Sequence, residues 1–145
     1  MSDETAAGRG PWLYLVDDDQ DDRESFQIAL SLTFPSYQLR SYDNGQDLLN
    51  DLRAPVCPVP ALIFIDLKMP VMDGYQLLTA LKLRQDSDSI PVIMLSGCDD
   101  PYEIKIGYQL GVQSWLVKPN SLGELSDKLA DIQRYWFKTV ENPHA

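Results

Sequence analysis

Short apolar runs alternate with stretches of helical periodicity along nearly the whole chain, and this alternation narrows the fold more than any other feature. The runs are Trp12–Val16, Ala61–Ile65, Pro91–Leu95 and, more weakly, Ser114–Val117, with Tyr37–Tyr42 as a less regular candidate. A continuous apolar run this short, bounded by breakers, reads as a strand buried on both faces of a parallel sheet. Between the runs the period becomes helical. Asp21–Leu32 opens with Asp21 and Glu24 at capping-box spacing. Asp47–Leu52, after the turn Asp43-Asn44-Gly45-Gln46, places Leu48, Leu49 and Leu52 on one face. Gly74–Arg84 presents Leu77, Leu78 and Leu81, and Pro101–Leu110 ends at Gly111, a residue suited to a helix C-terminus. Ser121–Phe137 begins with Ser121 and Glu124 at capping-box spacing and carries Leu122, Leu125, Leu129, Ile132 and Trp136 at 3/4 spacing. Five strands alternating with five helices make a parallel sheet covered on both faces.

The chain has 145 residues, which fits one domain. Residues 1–10 and 141–145 read as small polar tails, leaving 11–140 as the domain. The stretch Ala54–Pro60 is a proline-rich connector inside it.

Ligands of doubly wound sheets bind beyond the carboxyl ends of the strands, where the strand order reverses. Polar residues follow those ends here: Asp17, Asp18 and Asp19 after the first run, Asp66 after the third, Ser96 after the fourth and Lys118 after the fifth. Taken singly, each has a plainer reading. An Asp after a strand is commonly a helix cap or turn former, a lone lysine is commonly a surface residue, and Ser96-Gly97 reads as a turn. As a set on one rim they point to chemistry. Clustered carboxylates repel one another and suit a hard cation such as Mg²⁺, Mn²⁺ or Ca²⁺. A cation beside a carboxylate, a hydroxyl and an ammonium suits phosphoryl transfer onto an aspartate.

Composition closes off other classes. Hydrophobic residues make up 44% of the chain, too many for a wholly disordered protein. The net charge is −10, and the densest basic stretch is Lys82-Leu83-Arg84, so no patch is built for nucleic acid. Cys57 and Cys98 stand apart and the only histidine is His144, which excludes a zinc site. The N-terminus lacks an apolar signal core and no apolar run reaches membrane length. The expectation is a cytoplasmic protein.

Four segments then carry a resemblance: Leu15-Val16-Asp17-Asp18, Ile65-Asp66-Leu67-Lys68-Met69-Pro70-Val71-Met72-Asp73-Gly74, Met94-Leu95-Ser96-Gly97 and Trp115-Leu116-Val117-Lys118-Pro119. In this order they resemble the receiver domain of bacterial two-component response regulators, and the resemblance runs from Trp12 to Phe137. It implies an α/β, flavodoxin-like, doubly wound (βα)5 fold with strand order 2-1-3-4-5. It implies that Asp66 is the phosphoacceptor and that Mg²⁺, or Mn²⁺, is held by Asp17, Asp18, Asp66 and the backbone carbonyl of Lys68. Ser96 would reach the phosphoryl group through its hydroxyl and Lys118 would pair with a phosphoryl oxygen. Pro70 and Gly74 would shape the loop after Asp66, and a cis bond between Lys118 and Pro119 would shape the loop after the fifth strand. Ser96 and the aromatic Trp115 would form the switch that biases a two-state equilibrium. Lys68 and Cys98 would flank the path of attacking water. Asp21 is expected to cap the first helix, with Asp19 and Asp22 as surface charge.

The implied protein is not an enzyme in the ordinary sense, although it promotes its own phosphorylation and dephosphorylation. Its donor would be a histidine kinase or histidine phosphotransfer protein. The chain stops after the fifth helix, so the expectation is a stand-alone regulator that signals by contact with a downstream protein. Arg134-Tyr135-Trp136-Phe137-Lys138 places three adjacent aromatics on one helix, which cannot all face one core and so suggest a homodimer or partner surface. Competing readings fit less well. In a haloacid-dehalogenase-like phosphohydrolase, Asp17-Asp18-Asp19 would supply the nucleophile, but Asp21 stands where Thr or Val is needed and the motif around Asp66 is left idle. An EF-hand starting at Asp17 fails at Asp22 and Ile28. A receiver-like interaction module without phosphorylation leaves an intact set of site residues unused.

Overall fold

The computed structural model describes residues 10–54, 57–85 and 87–140, with side chains as far as 135. Five parallel strands form one sheet in the order β2-β1-β3-β4-β5. They are β1 (Trp12–Val16), β2 (Gln38–Tyr42), β3 (Leu62–Asp66), β4 (Val92–Ser96) and β5 (Ser114–Val117). The helices between and after them are α1 (Gln20–Thr33), α2 (Gly45–Arg53), α3 (Gly74–Leu83), α4 (Pro101–Gln109) and α5 (Leu122–Val140). This is the parallel sheet covered on both faces that the alternation predicts, with the flavodoxin-like strand order that the resemblance implies.

Side chains alternate across a strand, and the alternation here feeds two cores. Tyr14, Val16, Ile63, Ile65, Val92 and Met94 face one side, against Leu48 and Leu49 of α2 and Leu77, Leu78 and Leu81 of α3. Leu13, Leu15, Leu62, Phe64, Ile93 and Leu95 face the other, against Phe26, Ala29 and Leu30 of α1 and Leu125 and Leu129 of α5. The three central strands are buried on both faces, which is why their sequences read as unbroken apolar runs. The edge strand β2 is only half-buried, and its Gln38-Leu39-Arg40-Ser41 is correspondingly mixed. The register Val16↔Ile65 and Asp66↔Leu95 brings the ends of β1, β3 and β4 to one level.

Each helix start is fixed by a short polar side chain. Asn44 accepts from the Asp47 amide, Ser121 from the Glu124 amide, and Asp73 and Gln76 form a reciprocal capping box. The first helix departs from expectation. Asp19, not Asp21, is its cap, and the Asp19 carboxylate accepts from the amides of Asp21 (2.8 Å) and Asp22 (3.1 Å). Asp17 in turn accepts from the Asp19 amide at 3.0 Å, and the helix is capped two residues earlier than the Asp21–Glu24 spacing suggests.

The bond between Lys118 and Pro119 is trans, as are all described peptide bonds. The expected cis bond is therefore corrected; trans is the lower-energy form of an X–Pro amide by about 0.5–1 kcal/mol. Of the expected tails at 1–10 and 141–145, all but Gly10 lie outside the described residues, as do the aromatic side chains of Trp136 and Phe137. Tyr135 does project outward, 62% exposed.

Candidate acidic site at the carboxyl edge of the sheet

The strand ends converge as the alternation requires. Asp17 directly follows β1, is fully buried, and is fixed by its amide bonding the Tyr42 carbonyl and by its carboxylate receiving the Asp19 amide. Asp66 closes β3 and is 5% exposed. Ser96 closes β4 and is buried, its hydroxyl accepting from the Cys98 amide at 3.2 Å. Lys118 directly follows β5, with its amide bonded to the Ser96 carbonyl at 2.7 Å. Asp18 is exposed at the mouth.

The Lys118 ammonium lies among three carboxylates: Asp22 Oδ2 at 2.8 Å, Asp17 Oδ2 at 2.9 Å and Asp66 Oδ1 at 3.1 Å. Asp22 is thus more than the surface charge its sequence position suggests. Capping by Asp19 turns it, in the first turn of α1, toward Lys118. Its sequence signal is only its place one turn into a helix that starts at the site.

The electrostatics follow from burial. Loss of water raises the Asp66 carboxyl to about 6, helped by the charge of Asp17 and opposed by Lys118. Asp17 is raised for the same reason, opposed by the Asp19 amide and Lys118. For Lys118, burial acts to lower the ammonium, but hydrogen bonds to Asp22 and Asp17 and the surrounding negative charge outweigh it and raise it. One carboxylate oxygen from each of Asp17, Asp18 and Asp66 lies within 4.8 Å of the others. An oxygen-only donor set of this kind fits a hard divalent cation.

The loop after Asp66 is tightly drawn. The Met72 amide bonds the Pro70 carbonyl at 2.7 Å across Val71, whose φ is 68°. That is the rare γ-turn with a β-branched residue in left-handed territory. The Gly74 amide then returns to the Leu67 carbonyl at 2.8 Å. A Cβ on Gly74 would sit 2.8 Å from the Leu67 Cα and 2.9 Å from the Asp66 carbonyl oxygen, so only glycine lets α3 begin this close to the end of β3. Val71 projects fully into solvent and loses no packing if shortened. Val71→Gly is therefore expected to stabilise the protein by about 1 kcal/mol in urea unfolding, by releasing the strained φ; unchanged or lower stability would count against strain there.

Of the remaining expected residues, Lys68 and Pro119 flank the site, and Trp115 lies within β5 opposite Met94. Lys68 follows Asp66 by two, and its ammonium turns outward to Glu103 Oε2 at 3.1 Å. Trp115 in β5 lies against Gly107 of α4, where an added Cβ would meet its ring at 2.7 Å. Its Nε1 is buried without a hydrogen-bond partner, so this position leaves a donor unpaired. Pro119 lines a shallow cleft with Asp22, Lys118 and Leu125 beside the acidic site.

The fold and this rim define a receiver. The response regulator receiver domain family model matches residues 13–130, and the chain belongs to that family. The response regulator Rcp1 of Synechocystis sp. is 28% identical over 149 residues, covering 100% of both chains. A solved Mn²⁺-bound form of Rcp1 superposes with TM-score 0.78 at 27% identity, covering 90% of this chain and 96% of that one. The phosphorylated cyanobacterial phytochrome response regulator RcpA gives TM-score 0.81 at 26% identity with the same coverage, 90% and 96%. The transcriptional regulatory protein GltR of Pseudomonas aeruginosa is 33% identical over 129 residues, covering 88% of this chain and 51% of GltR. The chain thus spans about half the length of some curated relatives and the full length of others. It is a signalling domain of two-component systems rather than a classical enzyme. Among the described residues, no helix is long and apolar enough to cross a membrane.

Proposed function

We propose that this chain is a response regulator receiver that accepts a phosphoryl group on Asp66 from a phosphohistidine of a histidine kinase or phosphotransfer protein. An oxygen of the Asp66 carboxylate attacks phosphorus, the P–N bond breaks, and its electron pair leaves on the imidazole. Asp17, Asp18, Asp66 and the Lys68 carbonyl would hold Mg²⁺, or Mn²⁺, which would supply positive charge against the phosphoryl oxygens and the crowded carboxylates. Lys118 moves from its carboxylate partners to a phosphoryl oxygen, and the Ser96 hydroxyl leaves the Cys98 amide to meet another. Trp115, poised over Gly107 with an unpaired Nε1, then changes position and alters the surface formed by α4, β5 and α5, which a downstream protein reads in the cytoplasm. The observation that supports this reading best is a nearly buried Asp66 with an ammonium at 3.1 Å and two further carboxylates at metal-sharing distance.

Intact mass after incubation with acetyl phosphate and Mg²⁺ tests it. One added phosphoryl group is expected, absent without metal and absent in Asp66→Asn. A wild-type protein that stays unmodified, also when beryllofluoride leaves Trp115 unmoved, would instead make the chain a receiver-fold interaction module that works without phosphate.

A further inference from the structure

A second polar network lies beside the acidic site. Glu103, in the first turn of α4, receives the Lys68 ammonium on Oε2 at 3.1 Å and the Cys98 thiol on Oε1 at 3.1 Å. Its own backbone carbonyl receives the Tyr75 hydroxyl at 2.8 Å. The carboxylate therefore ties together the loop after Asp66, the loop after Ser96 and the start of α4. The network reaches the site itself, because the Cys98 amide is bonded to the Ser96 hydroxyl.

A carboxylate in the first turn of a helix is already favoured by the helix dipole. Glu103 does not need Lys68 for its own stability. Lys68 is the partner whose position changes when the pair is absent. Its ammonium is a mobile charge on a flexible stem, rooted two residues after Asp66, and its side chain is 70% exposed. The ion pair ties it to the first turn of α4.

We propose that Glu103 is a positioning residue that holds the Lys68 ammonium away from the phosphoryl group on Asp66 and so keeps the path of hydrolytic water open. This rests on the reading of Asp66 as the phosphoacceptor. In hydrolysis, water oxygen bonds to phosphorus, the bond from phosphorus to the Asp66 oxygen breaks, its electron pair returns to the Asp66 carboxylate, and a water proton leaves to solvent. Attacking water must reach phosphorus in line with the Asp66 oxygen that leaves. An ammonium on a phosphoryl oxygen speeds hydrolysis only where it binds the transition state more tightly than the phosphorylated ground state. Its stem meanwhile occupies the approach of water. Releasing Lys68 from Glu103 slows dephosphorylation.

The test is the decay of the phosphorylated protein, followed by intact mass after removal of acetyl phosphate in Mg²⁺, for wild type, Glu103→Gln, Lys68→Met and the double variant. Glu103→Gln keeps the size of the side chain and removes its charge. It is expected to slow decay by about three- to fivefold, the scale of one exposed ion pair. Glu103→Asp, with the charge restored, is expected to recover most of the rate. In the Lys68→Met background the Glu103 substitution is expected to change nothing, an outcome that general loosening of α4 would not produce. Decay of Glu103→Gln at the wild-type rate, or slowing that persists without Lys68, overturns the proposal while leaving Asp66 as the phosphoacceptor. Absence of any adduct on the wild-type protein overturns the Asp66 reading, and this proposal with it.

Discussion

Lys118→Met is expected to destabilise the metal-free protein by about 3–5 kcal/mol at pH 8, the scale for stripping one partner from a buried charge group. The ammonium is the shared partner of Asp17, Asp22 and Asp66, at 2.8 to 3.1 Å. Asp17 is fully buried and Asp66 nearly so, and among the described residues Lys118 is the cation paired with both carboxylates. Methionine keeps most of the stem volume, so the loss is electrostatic rather than a cavity. The carboxylates can escape the penalty only by taking up protons. The defect is therefore expected to shrink at pH 5, where Asp66, already raised to about 6 by burial, is largely protonated. Mg²⁺ should restore part of the lost stability by binding the folded form alone. Urea unfolding in chelator at the two pH values, then with Mg²⁺ added, measures all three effects. Wild-type stability at pH 8 would mean that the three short contacts carry no net stabilisation.

What the sequence reveals here has a physical pattern. The buried strands are legible because two-sided burial writes unbroken apolar runs, as in Leu62–Ile65 and Val92–Leu95. The site residues Asp17, Asp66, Ser96 and Lys118 are legible because the parallel alternation carries every strand end to one rim, and a local motif marks each. Residues whose place depends on contacts between distant segments are not. Asp22 meets Lys118 across 96 positions, and only after the start of α1 is settled by Asp19. Glu103 reaches Lys68 across 35 positions, and nothing in its neighbourhood marks it apart from any acidic residue in a helix's first turn. The γ-turn at Val71 gives no signal either, since a β-branched residue argues against a positive φ. Pro70 and Gly74 show that the loop is special without showing where its strain sits. Resemblance alone predicts a cis Lys118–Pro119 bond, and it is trans.

Asp66→Asn is expected to raise the stability of the metal-free protein at pH 7–8 by about 2–3 kcal/mol, at about 1.4 kcal/mol for each tenfold weakening of the buried acid, although it removes the proposed phosphoacceptor. The Asp66 carboxyl is raised from 3.8 to about 6, with burial the largest cause and the charge of Asp17 the next. A raised carboxyl binds its proton more tightly in the folded state than in the unfolded one. Its stabilising contribution is thus complete below pH about 4 and is lost as pH rises through about 6. Above that, the folded protein carries an ionised carboxylate in a poor place. Asp17 moves in the same direction and adds to the slope. Asparagine is nearly isosteric and removes the charge, while Lys118 keeps Asp17 at 2.9 Å and Asp22 at 2.8 Å. Wild type and variant should therefore converge near pH 4, separate as pH rises toward about 6, and keep a constant difference above it. Divalent cation should stabilise the wild type more than the variant, because the variant loses one of the three clustered carboxylates. Urea unfolding of both proteins from pH 4 to pH 8 in chelator measures the divergence. Parallel curves, or a variant less stable throughout, would mean that Lys118 compensates Asp66 fully. A diverging pair would mean that the folded protein holds unfavourable charge at the residue proposed to take the phosphoryl group, charge that a cation or a phosphoryl–lysine pair relieves.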